Sequence, residues 1–465
     1  MLALAVAVSC GPNRPESVLP PYVVLTTIGP ESPMDRSVRR LARRHLAEIF
    51  RFHSLERDRD AILAWLRERQ PVYCALVLRP EEIDPAFQLA FFDIACRIDD
   101  DPFPDLTWGY FPAADAASLQ RQIDRLEASE AKVEKRLLHA TRLRPGAGES
   151  DVRIDAIPWA TRLPLRTLSL KSGDVDFLRK NIASVEECDF LLVEGDGSPE
   201  GIRGLPREEL ERFRLDSTIV FSGAPYTGVT GSSFDSAAQV LRRRTFDPER
   251  SFAHAILADG AAALFAPLDR GAPSLIEREW ADAITSDQPM GWVMKHGYDL
   301  AVLAAGGTLP SFDLPADGRP PPRDYSSPLY QSALRVLYGD PALKLFSRES
   351  HPPLRYVATQ RSTDSDGRTV LQATYRVGAY DCAGFFADPF GGDPRLHVKI
   401  DLPRGTTRAR ATLLRCEAQG KPVEARMVSS AVEQWRGDSI LHVLVQGKTL
   451  ALEDLVITVQ AVLNP

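Results

Sequence analysis

The chain has 465 residues, 44% of them hydrophobic and 26% charged, a composition suited to a soluble protein of two or three domains with a sizeable core. Its formal net charge of −7, with arginines scattered among Asp and Glu rather than gathered into a stripe, excludes the electrostatic footprint of a nucleic-acid binder. The six cysteines (Cys10, Cys74, Cys96, Cys188, Cys382 and Cys416) form no CxxC pair and have no His at metal-ligand spacing, which excludes a zinc ribbon and a dense disulfide framework. Cys382 and Cys416 share the C-terminal region, and their spacing leaves a bridge between them open.

Residues 1–19 read as a signal and tether. MLALAVAVSC is an apolar run ending in Ser9 and Cys10, followed by the polar GPNRPESVLPP, and it resembles the end of a bacterial lipoprotein signal whose Cys becomes lipidated. The expectation is an exported cell-envelope lipoprotein, attached to a membrane only through that N-terminal lipid anchor. A cytoplasmic protein with a frayed apolar N-terminus is the alternative. No later stretch approaches the ~20 apolar residues of a membrane span.

The next segment, 20–150, opens with a buried strand over Tyr22–Ile28 and a helix over Asp35–Phe52, whose apolar residues Val38, Leu41, Leu46 and Ile49 recur at helical spacing. A helix over Arg57–Arg69, strands over Val72–Leu78 and Leu106–Phe111, and a long amphipathic helix from Leu119 to Leu137, ended by Pro145 and Gly146, follow. From 151 to 349 the alternation continues. Strands are predicted at Thr167–Leu170, Phe190–Glu194, Thr218–Ser222 and Ala262–Ala266. Helices are predicted at Val175–Glu187, Ser233–Arg243, Ser251–Ala258, Pro273–Ser286, Pro289–Ala305 and Ser327–Leu337. Strands alternating with helices imply a mostly parallel sheet covered on both faces. After Pro352 and Pro353 the period changes from helical to alternating, as in Leu396-His397-Val398-Lys399-Ile400-Asp401-Leu402, so 350–465 reads as an all-β sandwich of immunoglobulin-like type.

Two strand ends carry Gly-rich turns, where ligands bind in open α/β sheets: FLLVEGDGSPEGI from Phe190 and TIVFSGAPYTGVTG from Thr218. In this order they resemble the catalytic core of the gingipain-like cysteine peptidases, relatives of the caspases, whose strand ends read Gly-His-Gly and Ser-Gly-Ala-Cys-Tyr-Thr-Gly. DDDPFPDLTWGYFPA (Asp99–Ala113), SFAHAILADGAAALFAPL (Ser251–Leu268) and VLYGDPALKLF (Val336–Phe346) resemble three further segments of the family, giving five in its order over Tyr22–Phe346. The resemblance implies a caspase-like, two-subdomain αβα unit, followed by the β-sandwich.

The departure from the family falls on the chemistry. Asp196 stands in the His position between Gly195 and Gly197, and Pro225 stands in the Cys position between Ala224 and Tyr226. A Cys-His dyad needs a thiol and an imidazole to take its proton, and proline supplies neither a nucleophile nor a backbone N–H for an oxyanion. The reading is a pseudopeptidase that binds a peptide or protein ligand without cleaving it. Its cleft candidates are Glu194, Gly195, Gly197, Ser222, Gly223, Tyr226, Thr227, Gly228 and, at the rim, His296, with Glu194 and Asp196 able to offer a pair of carboxylates to a cation or basic peptide. Asp99, Asp101 and Asp105 are oxygen ligands at the close spacing a structural Ca²⁺ accepts, against the plainer reading of a capped turn. Two rival functions are an active hydrolase with a relocated nucleophile and a structural surface scaffold. No organic cofactor is implied.

Overall fold

The computed structural model describes residues 21–130, 138–145, 152–153, 165–172, 188–203, 205, 209, 212–234, 243–270, 279–280, 283, 288–312, 324, 327–344, 354–377, 395–447 and 455–463, with the backbone alone over 129–172, 234, 243–244, 354–356 and 377. Residues 1–20 and the predicted helix Val175–Glu187 lie outside them, as does all of the predicted helix Pro273–Ser286 except Glu279, Trp280 and Ala283.

The α/β unit is organised on one eleven-stranded sheet. Its strands are β1 (Tyr22–Thr26), β2 (Glu48–Arg51), β3 (Tyr73–Leu78), β4 (Thr107–Pro112), β5 (Leu138–Pro145), β6 (Val152–Arg153), β7 (Leu165–Ser172), β8 (Phe190–Val193), β11 (Ile219–Ser222), β14 (Ala263–Pro267) and β15 (Arg335–Tyr338); β9 (Gly197–Ser198) pairs with β10 (Gly201–Ile202), and β12 (Ser232–Phe234) with β13 (Arg243–Thr245), as small separate ribbons. The order is β2-β1-β3-β4-β15-β14-β11-β8-β5-β7-β6. β2, β1, β3, β4 and β15 are mutually parallel, as are β14, β11, β8, β5 and β7, and the two blocks meet antiparallel at β14–β15. β5 pairs in the second block, although it precedes the sequence division at residue 150. Every residue of β1, β3, β4, β8, β11, β14 and β15 is buried, as strands covered on both faces must be.

The helices described on this sheet are α1 (Asp35–Arg44), α2 (Leu55–Arg69), α3 (Pro85–Ala95), α4 (Ala116–Glu130), α5 (Phe252–Ala258), α6 (Met290–Ala304) and α7 (Pro328–Ala333). Four sequence expectations need correction. The helix predicted to Phe52 stops at Arg44 because the amide of Ala47 bonds the carbonyl of Ala42, and that of Leu46 the carbonyl of Arg43; Leu46 is left-handed at φ 51°, the place glycine usually takes in this stop. Glu48–Arg51 then pairs with β1 as the sheet's edge strand. The helix predicted over Ser327–Leu337 ends at Ala333, since Arg335–Tyr338 is the strand that joins the two blocks. Residues 138–145 form a strand rather than a helical continuation. Ser232–Phe234 and Arg243–Thr245, at the two ends of another predicted helix, pair as a ribbon. Helix α3, unread in the sequence, is capped by Asp84, whose side chain accepts from Phe87 N at 2.9 Å.

From Leu354 onward the described chain is antiparallel β. β16 (Leu354–Thr363), β17 (Thr369–Val377), β19 (Ala409–Ala418), β20 (Lys421–Pro422) and β23 (Leu455–Leu463) form one sheet, and β18 (Arg395–Leu402), β21 (Arg426–Trp435) and β22 (Asp438–Gln446) another. They enclose their own core of Leu396, Val398, Ile400, Leu441, Val443, Ile457 and Val459 among others. The three-stranded sheet lies against α6: Ser429 Oγ donates to Leu303 O at 2.6 Å, and Leu444, Ala431 and Trp435 pack into the core of the α/β unit.

Candidate functional site at the two motif loops

β8 and β11 are parallel neighbours, so the loops after their carboxyl ends leave the sheet together. Gly223 N donates to Val193 O at 2.8 Å, tying one loop to the other strand. At Gly197 the contact is between backbones: a Cβ there would lie 2.2 Å from Pro225 O and 2.8 Å from the carbonyl carbon of Ala224. The positions of Asp196 and Pro225, far apart in sequence, therefore meet across a contact that only glycine permits.

Each loop is held by its own bonds. Arg203 N donates to Asp196 O at 2.8 Å, closing the β9–β10 ribbon, while Gly195 takes φ 145°. In the second loop Tyr226 is left-handed at φ 62°, Gly228 N donates to Pro267 O at 2.9 Å, Tyr338 OH donates to Gly228 O at 2.5 Å, and Thr230 Oγ1 donates to Pro80 O at 2.9 Å. The second loop is thereby fixed to β14, β15 and the turn after β3.

The side chains at this meeting point differ in what they offer. Asp196 is 85% exposed and faces Arg203, itself 86% exposed, at 3.8 Å, an ion pair of little energetic consequence that leaves the carboxylate open to solvent. Glu194 and Pro225 are half-buried. The hydroxyls of Ser222 and Thr227 are fully buried and 2.7 Å apart, with Thr227 Oγ1 donating to Ala224 O at 2.8 Å. Arg335, buried and paired with Glu279 through Nε–Oε1 and Nη2–Oε2 contacts of 2.6 Å each, reaches Ser222 O from below at 3.5 Å. No family model and no curated protein matches the chain.

Thiols are no more available than hydroxyls. Cys74, Cys96, Cys188 and Cys416 are buried, and burial pushes Cys74 and Cys96 well above the ordinary thiol range and Cys416 up to about 11. Cys10 and Cys382 lie outside the described residues.

His296 turns towards the β domain. Its Nε2 lies 3.2 Å from Nδ1 of His397 on β18, His397 Nε2 is 3.0 Å from His442 Nδ1 on β22, and His442 Nε2 is 2.8 Å from Glu433 Oε2 on β21. Glu433 Oε1 accepts from Lys295 Nζ at 2.6 Å, and Lys295 also donates to Asp299 at 2.7 Å, with all three side chains at most 4% exposed. Burial alone would lower the Lys295 ammonium; Asp299 and Glu433 together raise it well above its ordinary range. Burial would likewise raise Glu433, but Lys295 and His442 bring it far below. Sequence reading reached this cluster only through His296, taken as a cleft-rim residue; a further available signal was the Lys295–Asp299 spacing of four within an apolar helix.

Asp99, Asp101 and Asp105 each place an oxygen within 4.8 Å of the others. Much of that capacity goes to the turn itself: Asp101 accepts from Phe103 N at 2.8 Å and from Gln434 N of the β domain at 2.5 Å, Asp99 from Asp101 N at 2.9 Å, and Asp105 from Asp99 N at 3.1 Å. Burial, with the charge of Asp99 adding to it, pushes Asp101 up to about 8 and Asp105 up as well. Three carboxylates could supply only part of the ~6–8 oxygens that Ca²⁺ takes.

Proposed function

We propose that the chain is a gingipain-like pseudopeptidase: a caspase-like α/β unit with an immunoglobulin-like β domain that binds a peptide or protein segment over the Asp196 and Pro225 loops and does not cleave it. The observation that carries this reading is the backbone contact of Gly197 with Ala224 and Pro225. It brings the Asp196 and Pro225 loops together at adjacent strand ends, which supports reading these two positions as a replaced Cys-His pair. A proline and an exposed carboxylate at these two positions supply no thiolate, no imidazole and no amide donor at the proline. The open Asp196 carboxylate, with Glu194 nearby in sequence, favours a ligand that brings a basic side chain.

A relocated nucleophile would have to come from elsewhere, since Ser222 and Thr227 are buried and bonded to one another. The same reading carries export and lipidation at Cys10, which mass spectrometry of the native N-terminus tests directly. No described helix is long and apolar enough to cross a membrane.

The test uses purified full-length protein, a peptide library and a thiol-directed covalent inhibitor. Neither cleavage nor labelling is expected, and a basic peptide is expected to bind and to lose about tenfold or more in affinity on Asp196→Ala, as a charge-assisted contact worth ~1.5 kcal/mol or more would give. Robust hydrolysis abolished by one substitution in the cleft overturns the proposal and names the nucleophile.

A further inference from the structure

The three histidines between α6 and the β domain can be given proton positions from one end. Glu433, held far below the ordinary carboxylate range, only accepts, so His442 Nε2 donates to it. His442 Nδ1 then accepts from His397 Nε2–H, and His397 Nδ1 accepts from His296 Nε2–H. In the neutral state all three rings are thereby Nε2–H tautomers, donating in one direction from half-buried His296 to fully buried His442.

The rings sit among fixed charges of both signs. Facing them are Lys295 and Asp299 of α6, Lys399 of β18, whose Nζ is 3.8 Å from Asp299 Oδ2, Glu433 of β21, and Asp99, Asp101 and Asp105 of the loop before β4. Phe103 of that loop stacks on His442 with ring centroids 4.4 Å apart. Lys295 and Lys399 offset Asp299 and Glu433. One added proton can be accommodated by reversing tautomers, but it places a further positive charge in a buried cluster. A second brings two N–H groups face to face across a 3.0 or 3.2 Å contact and breaks that hydrogen bond.

We propose that this cluster is a proton-operated latch between the α/β unit and the β domain, closed while the three rings are neutral and released when they take up protons. Burial is the largest influence on His442 and holds it below its ordinary value, with Lys399 acting the same way against Glu433 and Asp299. A released ring returns to the ordinary ~6.5, so release takes up protons and docking weakens as pH falls through that value. Asp101 works in the opposite sense. Its carboxyl, pushed up to about 8 when docked, binds a proton on docking and so strengthens the interface as pH falls from about 8. Asp105, pushed up by burial, can act only in that same sense. His442 opposes these carboxyls below ~6.5, and the latch is released where proton uptake by the freed rings outweighs them.

Trp292 on α6 and Trp435 on β21, edge-to-face at 5.0 Å, report the interface in the unmodified protein. Tryptophan emission and small-angle scattering of the full chain should show the β domain docked at pH 6.5, with the docking constant falling about tenfold or more by pH 5. His442→Gln and His397→Gln keep a neutral group that can donate and accept, and each should move the acid midpoint down by about one pH unit or more. Ring ¹⁵N shifts of the wild-type protein, which need no variant, should show Nε2–H tautomers for His397 and His442 at pH 6.5 and a common proton uptake with the tryptophan change. Emission and scattering that stay constant from pH 6.5 to 5, variants that open at the wild-type midpoint, or rings already charged in the docked state would overturn the proposal.

Discussion

Lys295→Met removes the one cation that, among the described residues, touches both buried carboxylates, while keeping a chain of similar length in the same space. Asp299 and Glu433 lie 2.7 and 2.6 Å from the ammonium and are 2% and 4% exposed, so neither can recover a hydration shell. Breaking a buried pair from one side costs about 3–5 kcal/mol. Two partners remain, the His442 Nε2–H on Glu433 and the more distant Lys399 on Asp299, which places the electrostatic loss near the lower end of that range. The ammonium also lies 5.2 Å from the Trp435 ring and 5.9 Å from Phe103, contacts worth another ~0.5–1 kcal/mol together. The expected loss is about 4 kcal/mol in urea unfolding at pH 8 followed by tryptophan emission. In the wild type, Glu433 has a depressed pKa, so its contribution is complete above the unfolded value near 4.5 and fades as pH falls below it. Without Lys295 the same carboxyl rises above its unfolded value and gains a proton on folding. The gap between the two proteins should therefore narrow from pH 8 to pH 6, and adding Glu433→Gln to the variant should recover about 1 kcal/mol or more. A loss under about 1 kcal/mol at pH 8, or a gap that ignores pH, would mean that water reaches these carboxylates and that the interface is not closed as described.

Two further substitutions test the local geometry. Gly197→Ala should destabilise by about 1–3 kcal/mol, because its methyl group meets the unyielding backbone of Pro225, whereas Gly29→Ala, with nothing within 4 Å of the new Cβ, should stay within about 0.5 kcal/mol in the same denaturant titration. Leu46→Gly should stabilise by about 0.5–1 kcal/mol in thermal unfolding: the left-handed strain of ~1–2 kcal/mol outweighs the added backbone entropy of ~0.5–1, and an 81% exposed side chain gives up little burial.

What could be read from sequence, and what could not, follows from how each segment is covered. The central strands announce themselves as runs such as Tyr73–Leu78 and Ile219–Ser222, since a strand buried on both faces needs no polar alternation. The two Gly-rich turns were legible for a related reason, and the structure brings their loops into contact. Helix α3 escaped because PAFQLAFFDIA is buried on nearly all sides and shows no apolar stripe; the Asp84-Pro85 start was its available signal. Glu48–Arg51 was read as helix because Ile49 continues the spacing of Val38 and Leu41, and nothing local reveals that a left-handed Leu46 breaks the register.

The histidine chain was hidden by a different ambiguity, and the ambiguity explains its chemistry. Along β18, Leu396, Val398, Ile400 and Leu402 alternate with His397, Lys399 and Asp401, a pattern that says only which face meets the β domain's own core. The other face reads as solvent-exposed, yet His397 is 6% exposed because α6 covers it. A face built for water and then covered by a second unit must satisfy its polar groups across the boundary. His397 and His442 do so with each other, with His296 and with Glu433, and Lys295 closes the remaining charge. An apolar boundary would dock at any pH. A boundary that also carries a chain of three imidazoles, beside the Ser429, Gln434 and Lys295 bonds, docks best while those imidazoles are neutral, so the feature that made the interface unreadable from residue spacing is also the one that makes it sensitive to protons.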